Sequence, residues 1–174
     1  MSFDSLPNRR EHGSFKWKRY QEDVIPLWIA DMDFQTPKCI SDALHNAVDH
    51  GIFGYTLPQK KLIGTIIDLL WEKYNWKVEA SSIVWLPGLV SALNICCRTY
   101  TQKGQNIVTS TPIYPPFLEA PALADRKLQT TELDFVDGQY KMNFDALEKA
   151  ITSKTGLYML CNPHNPVGRC FTKD

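Results

Sequence analysis

Apolar residues recur at helical spacing in two stretches of the first half of the chain. Ile40, Ala43, Leu44, Ala47 and Val48 follow Pro37 on a three-to-four-residue period, and Gly51 supplies a stop, so a helix is expected between them. Leu62, Ile66, Ile67, Leu69 and Leu70 predict a second helix over residues 59–74. Between the two lies GIFGYTLP, a Gly-rich, aromatic linker. Residues 1–37 show no period and read as an arm.

From residue 83 the pattern changes to short apolar runs alternating with helical stretches. IVWL at 83–86 reads as a short buried strand, cut by Pro87 and Gly88 and followed by a helix through Leu89, Leu93 and Ile95 to about Tyr100. NIVT at 106–109 is a second strand, PIYPPFLEAPALA at 112–124 a turn into a helix, and LQTTELDF at 128–135 a third strand. FDALEKAI at 144–151 is a short amphipathic helix with Asn143 as its N-cap, and GLYMLC at 156–161 is the last strand. Alternating β and α elements with apolar strands predict an α/β fold, a mainly parallel sheet with helices on both faces.

Composition narrows the function classes. Of 174 residues 44% are hydrophobic, enough for a core. Nineteen basic residues against nineteen acidic ones argue against a nucleic-acid partner. No apolar run approaches the length of a membrane span, and the N-terminus has no apolar signal region. Five cysteines with no CxxC and no metal-ligand spacing read as reduced thiols of a cytoplasmic protein, with no metal site.

Ligands of parallel sheets sit at the carboxyl ends of strands. Three unusual segments fall there: LPGLV at 86–90, STPIYPPF at 110–117 and CNPHNPVG at 161–168. They are expected to converge on one crevice. Pro87 and Gly88 turn a strand directly into a helix, whose free N–H groups can receive a phosphate; a plain connecting turn would look the same. Tyr114 stands among prolines that can hold its ring for stacking on a flat ligand, or it caps the core. In the tandem Asn-Pro pairs each proline is expected to hold the preceding Asn extended, presenting an amide with donor and acceptor; an ordinary Asx turn is the alternative, though two in tandem ending in Gly are far less common than one. His164, between the pairs, reads as structural or solvent-facing rather than as a base.

Taken together, LWIADMDF at 27–34, HGIFGYTLP at 50–58, WLPGLVSALN at 85–94, PIYPPF at 112–117 and NPHNPVGR at 162–169 resemble the class I/II aminotransferases. Within these pyridoxal-phosphate enzymes of the aspartate aminotransferase fold, the segments are similar to the MalY/PatB group of cystathionine β-lyases. The resemblance implies the N-terminal part of that fold, truncated. Residues 1–50 would form the arm and first helix of the small domain, and residues 51–174 an incomplete large cofactor-binding domain.

The resemblance also assigns roles. Asn165 would hydrogen-bond the cofactor's 3′ oxygen, Tyr114 would stack on its ring, and Gly88, Leu89 and Val90 would hold its phosphate through backbone N–H groups. Tyr55 would reach a partner subunit's phosphate in a homodimer, and Ala30 and Asp31 would close over the substrate carboxylate. The implied activity is a carbon–sulfur β-lyase acting on an amino acid and giving a thiol, pyruvate and ammonia, with an aminotransferase as the alternative. The family's Schiff-base lysine lies further downstream than this sequence runs, and Lys173 is too close to the motif to replace it, so no catalytic residue is expected within the chain. An inactive remnant serving as a binding or interaction module is a further reading. An unrelated nucleotide-binding domain is the most distant one, since no Gly-rich nucleotide loop is present.

Overall fold

The computed structural model describes residue 4 and residues 6–172; Lys173 lies outside them. The chain divides into two compact units between Ile63 and Gly64.

In the first unit a single helical turn, α1 (Phe15–Lys18), interrupts the arm that the sequence pattern left irregular, and α2 (Lys38–His50) follows. The second helix ends where expected, because Gly51 adopts φ 71°, the left-handed cap that glycine reaches without strain. Its apolar stripe, Ile40, Leu44 and Val48, is exposed.

What fixes the arm is a cluster of charges. Arg9 contacts Asp31 and Asp33 at 2.7 Å each, and Lys16 reaches Asp33 at 2.6 Å and the Asp31 carbonyl at 2.7 Å. Trp17 donates its indole N–H to Asp33 at 2.7 Å. Trp28 is wedged beside it, edge-on to Phe15 and Tyr20, with its own N–H given to the Lys16 carbonyl. The Lys16 ammonium, the Trp17 indole and Arg9 together lower the Asp33 carboxyl from 3.8 to about 2. Because this folded value lies below the unfolded one, the stabilisation is fully present above about pH 4 and is lost as pH falls through about 2. A 13C titration of the Asp33 carboxyl should therefore show a midpoint near 2, and a midpoint at 3.8 would mean that the clamp does not persist in solution.

α3 (Lys60–Tyr74) confirms the second predicted helix. The expected strand at 83–86 does not form. A 3-10 turn (Ala80–Ser82) precedes an extended stretch in which Val84 is 75% exposed, because no described strand offers it a row of hydrogen-bonding partners. α4 (Leu89–Thr99), β1 (Asn106–Thr111), α5 (Pro116–Leu123) and β2 (Lys127–Glu132) then follow in the predicted order.

LQTTELDF does not make one strand. Its ladder to β1 ends as Leu133 donates its N–H to the Thr111 carbonyl at 2.8 Å, and β3 (Asp134–Val136) then pairs antiparallel with β4 (Gln139–Lys141). Asp137 and Gly138 join them at φ 52° and 74°, a two-residue turn whose twist suits a hairpin. α6 (Phe144–Ala150) starts with the Asn143 side chain accepting the Ala146 N–H at 2.8 Å, as predicted, and β5 (Thr155–Met159) closes the sequence of elements.

The main sheet is parallel with order β2-β1-β5, and the fold is α/β. Cys97, Ile107, Ile113, Phe117, Ala120, Ala124 and Met159 form its buried cluster, where α4 and α5 meet the central strand. Buried polar groups of the sheet are paired: Thr109 donates to the Met159 carbonyl, and Ser110 shares hydrogen bonds with Thr131 and Tyr158.

Candidate active site

From β1 the chain crosses through α5 to β2 on one side, and from β2 it returns past β1 to β5 on the other. Loops leaving β1 and β5 at their carboxyl ends therefore diverge, and a crevice opens between them.

The first wall is the start of α4. Gly88 caps it at φ 131°, a conformation that L side chains rarely adopt, and no side chain caps the helix. The first turn of any α-helix leaves N–H groups without intrahelical acceptors, so this end offers free donors. The second wall follows β1. Thr111–Pro112 is cis, and the Tyr114 carbonyl accepts the Phe117 N–H at 3.0 Å as α5 begins. Tyr114 is 39% exposed.

The third wall follows β5, where both Asn-Pro bonds are cis. Asn162 spends its side-chain oxygen inside the loop, accepting the Phe171 N–H at 3.1 Å. Asn165 receives support at its backbone, whose N–H meets the Cys161 sulfur at 3.4 Å, while its amide side chain makes no hydrogen bond among the described residues. One Asn is thus structural and the other is available to a ligand.

Leu89, Tyr114 and Asn165, one from each segment, line a single cavity of about 640 Å³, together with Phe117, Met159 and Cys161. Among the described residues its wall carries no lysine and no carboxylate. Val90, one position further along α4, faces a separate groove with Asn94 and Arg98. Ala30, Asp31 and Tyr55 belong to the first unit. Ala30 is exposed, Asp31 is engaged by Arg9, and Tyr55 is fully exposed.

The sequence matches the family described as aminotransferase class I and II over residues 22–174. The chain belongs to the class I and II aminotransferases. Cystathionine β-lyase PatB of Bacillus subtilis is 36% identical to this aminotransferase-family chain over 180 residues, taking in 100% of the chain and 46% of PatB. The crystal structure of cystalysin from Treponema denticola, which contains a pyridoxal 5′-phosphate cofactor, superposes with a TM-score of 0.89 at 30% identity. That match covers 97% of this chain and 45% of cystalysin. A pyridoxal-phosphate-bound C–S lyase from Staphylococcus hominis gives a TM-score of 0.89 at 26% identity, over 99% of this chain and 45% of its own. The chain spans about half the length of the relatives it matches.

Two residues of the loop after β5, Cys161 on the cavity wall and His164 near it in sequence, make contacts that sequence reasoning did not assign. Cys161 was legible only as one of five thiols, yet its sulfur holds the Asn165 backbone. His164, read as structural or solvent-facing rather than as a base, is 2% exposed. The His164 contact has no local signal, because it forms only when the loops after β1 and β5 come together, whereas Cys161 acts within its own loop, on a backbone N–H four residues on.

Proposed function

We propose that the cavity cradles pyridoxal 5′-phosphate for a carbon–sulfur β-lyase that cleaves an amino-acid thioether such as cystathionine into a thiol, pyruvate and ammonia. The carrying observation is that Leu89 from the start of α4, Tyr114 from the loop after β1 and Asn165 from the loop after β5 come to one cavity, with the Asn165 amide unspent.

That wall suits the group in its chemistry. The uncapped start of α4 at Gly88, Leu89 and Val90 offers backbone N–H groups to a phosphate. Tyr114 offers an aromatic face to a pyridine ring, and Asn165 offers an amide N–H to a ring oxygen. When bound, pyridoxal phosphate supplies an electron sink for negative charge developing at the amino acid's Cα. The residues of this chain bind and orient it: the helix start anchors one end, Tyr114 fixes the plane and Asn165 fixes rotation within that plane.

Among the described residues the wall carries no lysine, so nothing on it is placed for covalent attachment or for proton transfer at Cα by an amine. Residues 1–50 are read as the arm and first helix of a small domain, and residues 51–174 as part of the large one. The full exposure of Tyr55 supports its reaching a second subunit of a homodimer. Ala30 and Asp31 are assigned to substrate carboxylate closure, a role for which Asp31 would have to exchange its Arg9 contact. Five free cysteines support a reducing, cytoplasmic setting.

The test is a titration of the purified chain with pyridoxal phosphate followed by borohydride reduction. Saturable binding with no cofactor attached to any lysine of the chain is expected. Absence of binding, or a reduced adduct mapped to one of these lysines, would overturn the reading. In a polypeptide that continues this chain to its relatives' length, release of pyruvate and thiol from cystathionine would identify the lyase, and amino transfer to a 2-oxo acid without thiol release would identify the aminotransferase alternative.

A further inference from the structure

We propose that His164 is a positioning residue that locks the loop carrying Asn165 to the loop carrying Tyr114, so that the two strand exits act as one rigid wall. The inference rests on the reading of that cavity as a cofactor site.

The main chain of His164 closes its own loop. Its N–H donates to the Arg169 carbonyl at 2.6 Å, and its carbonyl accepts the Gly168 N–H at 2.9 Å. The ring leaves that loop altogether. Nε2 lies 2.8 Å from the carbonyl oxygen of Pro112, 52 positions earlier and two residues before Tyr114. Phe171 covers the ring edge-on, with centroids 5.4 Å apart.

The ladder between β1 and β5 stops at the Thr109–Met159 pair. Beyond it, among the described residues, the His164–Pro112 contact is the one hydrogen bond joining the two loops. Tyr114 and Asn165 therefore depend on it for their relative placement.

The geometry also fixes the proton. A carbonyl oxygen only accepts, so Nε2 must donate. Nδ1 is buried with no partner, and a proton there would be an unpaired buried donor. Nε2 accordingly carries a proton, which makes His164 a donor to Pro112.

Nitrogen-15 NMR of the 174-residue chain without cofactor tests this directly. Long-range imidazole correlations should show Nε2 protonated; an Nε2 without a proton would refute the coupling. His164→Phe keeps a buried ring without the donor, and His164→Gln restores a side-chain N–H. The Phe variant should move the backbone resonances of both Tyr114 and Asn165, and the Gln variant should return them toward wild type. Shifts confined to residues 168–171 would overturn the proposal.

With pyridoxal phosphate added, His164→Phe should bind about tenfold more weakly, equivalent to roughly 1.4 kcal/mol, and His164→Gln within about threefold of wild type. A wild-type chain that does not bind the cofactor refutes the cofactor reading alone, since the Nε2 proton and the resonance shifts decide the coupling without it.

Discussion

Replacing Asn165 with alanine is expected to weaken pyridoxal phosphate binding by about ten- to a hundredfold, the range for losing one hydrogen bond to an ionised oxygen. The side chain is well suited to so specific an effect, because it makes no hydrogen bond among the described residues and its removal leaves no protein partner stranded. Asn162→Ala is the informative contrast. That side chain accepts the Phe171 N–H, so its loss should loosen the loop and lower thermal stability, with a smaller effect on affinity. Titration of both variants by cofactor absorbance separates the roles. Equal affinity of Asn165→Ala and wild type would remove Asn165 from the proposed site.

Ile107→Ala should cost about 2–5 kcal/mol of the second unit's stability. Ile107 is completely buried on the central strand, with Cys97, Phe117, Ala120 and Met159 in the same cluster. A void there cannot be filled from outside, because β1 is flanked by β2 and β5. Since folded domains hold only about 5–15 kcal/mol in total, the variant should lose a large part of its margin in urea, followed by far-ultraviolet circular dichroism. Val84→Ala, at an exposed position, should stay within about 0.5 kcal/mol. A cost below about 1 kcal/mol at Ile107 would mean that the cluster is not packed as described.

Much of the fold was legible because local rules governed it. Gly51 stops α2 and Asn143 starts α6 for reasons contained within a few residues. The segments after β1 and β5 could be placed on one crevice because the alternation of β and α elements dictates where their loops emerge, whereas the segment before α4 reaches it without the strand expected to precede it. The hairpin was missed although Asp137-Gly138 is a strong turn signal, since the apolar run before it looked continuous across Leu133. Residues 83–86 misled for the opposite reason: apolar and β-branched character states a capacity to pair, and pairing needs a partner strand.

The candidate site divides in the same way. Tyr114 and Asn165 were visible through their prolines. His164 and Cys161 were not, because what matters about them is a bond to another loop or to a backbone N–H rather than a motif. The clamp of Arg9, Lys16 and Asp33 joins residues 17 to 24 apart with no periodicity, and Asp31 was assigned to a substrate without regard to its neighbour Arg9.

Placement of the tryptophans decides what light can report. Trp17 and Trp28 give their N–H groups to Asp33 and to the Lys16 carbonyl in the first unit, whereas Trp71, Trp76 and Trp85 are half-exposed and none belongs to the cluster around Ile107. Indole emission thus contains a gauge of the arm: the Trp17 part should shift in acid as the Asp33 carboxyl, to which its N–H is given, takes up a proton.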